Sequence, residues 1–165
     1  MEIRISHRFP CTAREYWETT RGQAFEDDIR RETETDVTVL ERTETGDVLR
    51  ERVRISPRKE LPAVMQKALG APRLSYVQEM VSDTARLTIQ WNIVMDVMPD
   101  KVRCSGTTRF VELPGGCERV IEGEIRVLVP LVGGTMEKHV LDGIVKSYER
   151  AAEVARRHIA RRATS

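Results

Sequence analysis

The chain has 165 residues, of which 40% are hydrophobic and 32% charged, with a formal net charge of +1. That is the composition of a soluble domain large enough to hold its own core without staples, so one domain over residues 1–165 is expected. A balance so close to neutral gives no electrostatic case for nucleic acid, and no apolar run reaches the length of a membrane span. Arg4, His7 and Arg8 interrupt any apolar signal segment at the start. The cysteines Cys11, Cys104 and Cys117 are odd in number and lie in no CxxC or zinc-like spacing. Free thiols in a reducing cytoplasm follow as the expectation.

Glu2 to Phe9 alternates, with Ile3, Ile5, His7 and Phe9 on one face, and reads as a half-buried strand. Pro10 ends it. Thr12 followed by Glu15 is a capping-box pattern for a short helix through Tyr16 and Trp17. A second short helix after Gly22 runs to about Arg31, with Ala24, Phe25 and Ile29 expected to face inward. Thr35 to Thr45 is a strand carrying Val37 and Val39, Gly46-Asp47 a tight turn, and Val48 to Ser56 a return strand with Leu49, Val53 and Ile55 on one face. Leu61, Val64, Met65, Ala68 and Leu69 outline an amphipathic helix that Gly70 and Pro72 stop.

Leu74 to Val81 is a strand whose inward face the alternation leaves open: Tyr76, Gln78 and Met80 compete with Val77, Glu79 and Val81. The clearest strand runs from Leu87 to Val97, with Leu87, Ile89, Trp91, Ile93, Met95 and Val97 on one side. Pro99-Asp100 turns the chain into Val102, Cys104, Gly106, Thr108 and Phe110. Pro114-Gly115-Gly116 turns it again into Ile121, Gly123, Ile125, Val127 and Val129. From Thr135 to Arg162, Met136, Val140, Leu141, Ile144, Val145, Tyr148, Ala151, Ala152, Ala155 and Ile159 form one stripe at helical spacing. Such a helix is about 42 Å long and needs a broad apolar bed. Pro130 and Gly133-Gly134 stop what precedes it, and Thr135 is placed to cap it. The fold class that follows is α+β: a curved antiparallel sheet of about seven strands wrapped around the long C-terminal helix, with two short helices after the first strand.

This arrangement resembles the START-like (SRPBCC, helix-grip) superfamily of birch-pollen allergen proteins, polyketide cyclases and lipid-transfer proteins. The likeness rests on the opening strand running into Pro10–Trp17 and on the run from Gly123 to Glu137 that feeds the last helix, and it extends over essentially the whole chain. The second run is most similar to an uncharacterised bacterial branch. The helical insertion ending at Gly70, followed by Tyr76-Val77-Gln78-Glu79, resembles PRELI-type phospholipid-transfer proteins. The resemblance implies an apolar ligand, a lipid or another hydrophobic small molecule, held between sheet and helix. It implies no particular substrate, since folds of this kind carry many functions.

On that basis the ligand-binding set is His7, Phe9, Tyr76, Gln78, Trp91, Ile93, Cys104, Thr108, Ile125, Val127, Leu141, Ile144, Val145 and Tyr148. Small residues such as Gly106, Cys104 and Gly123 face large ones, which leaves either pocket space or bends in the sheet. His7 is either a polar anchor or an ordinary hydrogen-bonded histidine. Glu122 and Glu124 share a face with Arg126 and read as a solvated strand rather than an acid–base pair. Glu137, His139 and Asp142 do not converge on a helix, so no metal site is expected. Neither Cys104 nor Cys117 has a histidine at a telling spacing, and no phosphate-binding or hydrolase motif occurs. No cofactor is called for, and no catalytic residue is assigned.

The last 20 residues carry a local excess of basic side chains, from Lys146 and Arg150 to Arg161 and Arg162. They offer either a transient contact for an acidic membrane surface or simple complementation of the helix dipole. Three functions stay open: a non-catalytic carrier of an apolar molecule, a polyketide cyclase/dehydratase-like enzyme using the same cavity, and an interaction module whose cavity is filled by its own side chains. Oligomeric state stays open as well.

Overall fold

The computed structural model describes all 165 residues. β1 (Glu2–Phe9) leads through α1 (Ala13–Thr19) and α2 (Gln23–Glu32) to the hairpin of β2 (Thr35–Thr45) and β3 (Val48–Pro57). α3 (Ala63–Leu69) follows, then the meander β4 (Tyr76–Asp83), β5 (Thr88–Met95), β6 (Val102–Leu113) and β7 (Gly116–Val127), and finally α4 (Gly133–Ala163). One antiparallel sheet takes the order β1-β7-β6-β5-β4-β3-β2. The first two strands therefore lie at opposite edges, although only α1 and α2 separate them in the chain. This is the helix-grip arrangement.

Local chemistry sets the ends of the elements. Thr12 accepts from the Glu15 backbone at 3.1 Å while the Glu15 carboxylate accepts from the Thr12 backbone at 2.8 Å, so the capping box is complete. Gly46 and Gly115 take positive φ in the two hairpin turns, where glycine meets no Cβ penalty. Pro99 opens a short 3₁₀ turn, Pro99–Lys101, between β5 and β6.

Several expectations need correction. Thr135 is not the cap of the last helix: α4 begins at Gly133, its N-cap residue is Val132, and no side chain caps it. Leu87 and Val97 lie outside β5, Leu87 in a positive-φ turn, so the regular alternation is shorter than the sequence suggests. Val129 lies beyond the end of β7. Ala24 is exposed, because α2 packs its Phe25 and Asp28 side toward α4, and Val64 points outward at 64% exposure.

Register settles the face of β4. Gln78 pairs with Ile93 and Met80 with Trp91, so Tyr76, Gln78, Met80 and Ser82 share the inward side. Trp91 in turn pairs with Gly106, and Gly106 with Gly123. A Cβ on Gly106 would sit 2.5 Å from the Trp91 ring and 2.2 Å from the Glu122 carbonyl. The space beside these glycines is thus filled by the indole, and the strands bend close there; it is not pocket.

α4 makes its main contacts with β7, β1, α1 and α2. Its C-terminal half is sealed: Ala152, Val154, Ala155 and Ile159 are buried. Val154 lies outside the expected stripe; it is covered because the helix packs against α1 and α2 as well as against the sheet. His158 bonds Asp28 at 2.8 Å and meets Phe25 edge-on, tying α4 to α2.

Because the indole fills the space over two glycines, Trp91→Ala is expected to lower stability by about 3–5 kcal/mol in urea denaturation. A loss below about 1 kcal/mol would mean the ring is not part of the packed core.

Candidate functional site

Inward alternation along β1 and β7 places His7 opposite Arg119. Arg119 is 5% exposed and is the only charged side chain among the buried residues. Its Nη1 donates to the Tyr16 hydroxyl at 2.9 Å, and its Nη2 to the Tyr148 carbonyl at 3.0 Å. The same Nη2 meets His7 Nδ1 at 3.0 Å. A guanidinium can only donate, so Nδ1 accepts and the neutral ring carries its proton on Nε2. Nε of Arg119 is buried with no partner. The guanidinium also lies 5.1 Å from the Tyr148 ring centre and 5.7 Å from that of Phe9.

Desolvation first, then the Arg119 and Arg156 charges, hold the His7 pKa down at about 4. The imidazole is therefore neutral at pH 7. Tyr148 lies against the Thr108 hydroxyl, and burial pushes the phenols of both Tyr148 and Tyr76 above their usual pKa. Burial also pushes the Cys104 thiol up to about 11 and the Cys117 thiol up to about 12. None of these groups is poised as a base or nucleophile near neutral pH.

The expected binding residues fall into connected groups. Tyr76, Cys104, Thr108 and Tyr148 come together beneath the middle of α4. Trp91, Ile93, Ile125, Val127, Leu141, Ile144 and Val145 belong to the same apolar cluster, and Gln78 stands beside Ile93. Phe9 does not join them. It packs with Ala13, Tyr16, Cys117, Ala152 and Ile159 in a second cluster. Phe9 pairs with Cys117, ten residues along β7 from Val127, or about 33 Å on an extended strand. A small ligand cannot touch both.

Arg119 is the residue that sequence reasoning missed. Carrying the alternation of Ile121, Gly123 and Ile125 two positions back would have placed it inward, but an arginine among apolar residues reads as the end of a buried face. Glu122 and Glu124 do lie on the solvent side, bonded to Arg109 at 2.8 Å and to Arg126.

α4 is closed at its ends and open in its middle. Met136 is buried at one end and Ala152 to Ile159 at the other, whereas Val140, Leu141, Ile144, Val145 and Tyr148 are only half-buried. Across from them, Leu74, Tyr76, Met80 and Ile93 are half-buried too. Inward-facing apolar groups thus keep accessible surface under a helix sealed on either side. Nε1 of Trp91 is buried in the core without an acceptor. A surface depression of about 470 Å³ lies elsewhere, on the outer face of β2 to β5. It is lined by the charged ladder in which Arg52 bridges Glu41 and Glu79.

The basic end of α4 is mostly paired. Arg150 meets Glu153, Arg157 meets Glu32, Arg161 lies 4.0 Å from Asp28 and Arg162 3.6 Å from Glu18. No helix is long and apolar enough to cross a membrane.

Solved structures share this architecture. TTHA0849 from Thermus thermophilus matches over 100% of both chains with a TM-score of 0.69 at 16% identity. The Zhui aromatase/cyclase from Streptomyces sp. R1128 gives 0.66 at 16% identity, covering 99% of this chain and 95% of that one. Ara h 8.0201 gives 0.65 at 8% identity, with 97% of each chain covered. Likeness at these identities defines the fold class, helix-grip. The model of the family described as "Protein of unknown function (DUF2505)" matches residues 4–159, and the chain belongs to that family. No curated protein matches the sequence significantly.

A depressed histidine has a consequence for stability. Well above pH 6.5 His7 is neutral in both folded and unfolded chains and contributes no pH dependence. As pH falls from 6.5 toward about 4, the unfolded chain takes up the proton first, so stability declines through that window. The ring is only partly withdrawn from water, so the loss is modest. His7→Gln should flatten this part of the stability–pH profile, measured by urea titrations at closely spaced pH; an unchanged slope would show that His7 is not the group responsible.

Proposed function

We propose that the chain binds a hydrophobic small molecule between the concave face of the sheet and the middle of α4, without catalysing a reaction on it. The observation that carries this reading is the half-buried apolar patch of Leu74, Tyr76, Met80, Ile93, Leu141, Ile144, Val145 and Tyr148, enclosed between the sealed ends of the helix. Apolar surface left accessible inside a closed frame is where transfer of an apolar ligand from water gains most.

The enzymatic alternative, a cyclase-like reaction in the same space, is supported by aromatase/cyclase fold neighbours alone. The interior offers a neutral histidine and phenols held protonated, not an acid–base pair. The PRELI-type likeness bears on which lipid is carried, and a phospholipid is one member of the proposed ligand class. Docking on an acidic membrane has less support, since four of the six cations from Lys146 onward stand in ion pairs. A single domain over residues 1–165 remains part of the proposal.

The test uses a neutral fluorescent probe, N-phenyl-1-naphthylamine. Its emission should rise on titration into the protein, and Ile144→Trp, which fills the patch, should weaken binding about tenfold or more, the equivalent of about 1.4 kcal/mol. No fluorescence gain with the folded wild-type chain would overturn the reading, as would equal binding by a folded Ile144→Trp.

A further inference from the structure

The seam between β1 and α4 carries more positive charge than the fold accounts for. Arg119 is buried and its partners are a phenol, an imidazole and a carbonyl, all uncharged. A buried cation ordinarily has a carboxylate beside it, because neutral acceptors offset only part of its lost hydration. Here none is present, and Nε has no acceptor at all. A second cation lies against the same ring: the Arg156 guanidinium is 5.2 Å from the Phe9 ring centre, against 5.7 Å for Arg119, and both charges act on His7. Arg156 donates only to the Arg8 carbonyl, at 3.2 Å, and also lacks a carboxylate. His7 lies within the field of both arginines and has its Nε2–H free, since Nδ1 is already engaged.

The acidic residues nearby are committed elsewhere. Glu118 faces outward with Arg8, Glu153 pairs with Arg150, and Glu15 closes the cap of α1. The seam also continues into the proposed ligand space. Tyr148, whose carbonyl and ring both meet Arg119, is the same residue that lies against Thr108 at the apolar patch.

We infer that the ligand is an amphiphile whose anionic head group, a carboxylate or a phosphate, is held by Arg119, Arg156 and the Nε2–H of His7, while its apolar chain lies under the middle of α4. The inference rests on the binding function proposed above and specifies its ligand class. Arg119 acts as a fixed donor whose counter-charge arrives with the ligand, and charge-assisted hydrogen bonds of this kind are the stronger ones. Arg156, at the surface, would draw the head group into the seam.

The experiment is displacement of bound N-phenyl-1-naphthylamine by three molecules with the same ten-carbon chain: decanoate, decyl phosphate and decanol, all below micelle-forming concentrations. With the wild-type chain, at least one of the two anions should displace the probe at about ten- to hundredfold lower concentration than decanol, the range of a hydrogen bond to a charged group. Which anion is stronger separates a fatty-acid-like head from a phosphate ester. Arg119→Gln should erase that preference and leave decanol unchanged. Arg156→Gln, an exposed position, should reduce the preference and remains informative if Arg119→Gln does not fold. Binding of the better anion should also raise the His7 titration midpoint followed by NMR, an effect decanol would lack. Equal potency of acid, phosphate and alcohol overturns the anionic-head inference and leaves the apolar site standing. Failure of the probe itself to bind overturns both.

Discussion

The register between β1 and β7 is the constraint on which the rest of the molecule depends. Eight consecutive pairs, from Glu2 with Glu124 to Phe9 with Cys117, join the first strand to the last. That pairing puts β1 and β2 at opposite edges of the sheet, so α1 and α2 must cross its open end to connect them. There they become the second wall against which the C-terminal half of α4 is buried. The same register sets His7 against Arg119, 112 residues away along the chain. Slipping the pair by one residue would send Ile3, Ile5 and Phe9 to solvent, which burial of the inner face opposes.

α4 is held by two different surfaces with different chemistry. Toward its C-terminus small residues, Ala152 and Ala155, allow close approach to α1 and β1, and arginines reach acidic partners on α1 and α2. Exposed ion pairs of that kind add little stability each. They do consume the charge that an acidic surface would otherwise recruit. Toward the middle, larger side chains, Leu141, Ile144 and Tyr148, pack against the core cluster and stay half-buried. The helix is thus buried at both ends and half-buried between them. The inward side chains beneath it divide into one polar seam around Arg119 and an apolar remainder.

Polar groups in the interior are unusual in what they lack. Tyr16, His7 and a carbonyl satisfy the outer nitrogens of Arg119, yet no negative charge balances it. The arrangement keeps the imidazole neutral and leaves the guanidinium as a ready donor. Similarity of fold defines the architecture; the chemistry of this seam belongs to its own side chains.

Much of the architecture is legible in the residues. Strict alternation marks β1, β5, β6 and β7, Gly46 and Pro114-Gly115 mark the hairpins, Thr12 and Glu15 mark the start of α1, and the stripe from Met136 to Ile159 marks α4. These are local signals, written at a period of two or about 3.6 residues, and local sterics and burial enforce them. What alternation could not settle was anything that depends on a neighbour distant in sequence. The inward side of β4 was decided by Trp91 and Ile93 across the ladder, not by β4's own mixed pattern. Val154 became core because α1 and α2 pack on α4 from the side. The room beside Gly106 and Gly123 was claimed by an indole from the next strand. Arg119, a charged residue on an apolar face, acquired its meaning only when Tyr16, His7 and Tyr148 converged on it from three other elements. A periodic pattern reports which side of an element avoids water; which groups meet there is decided by packing, because contact energy depends on the partner and not on the chain position.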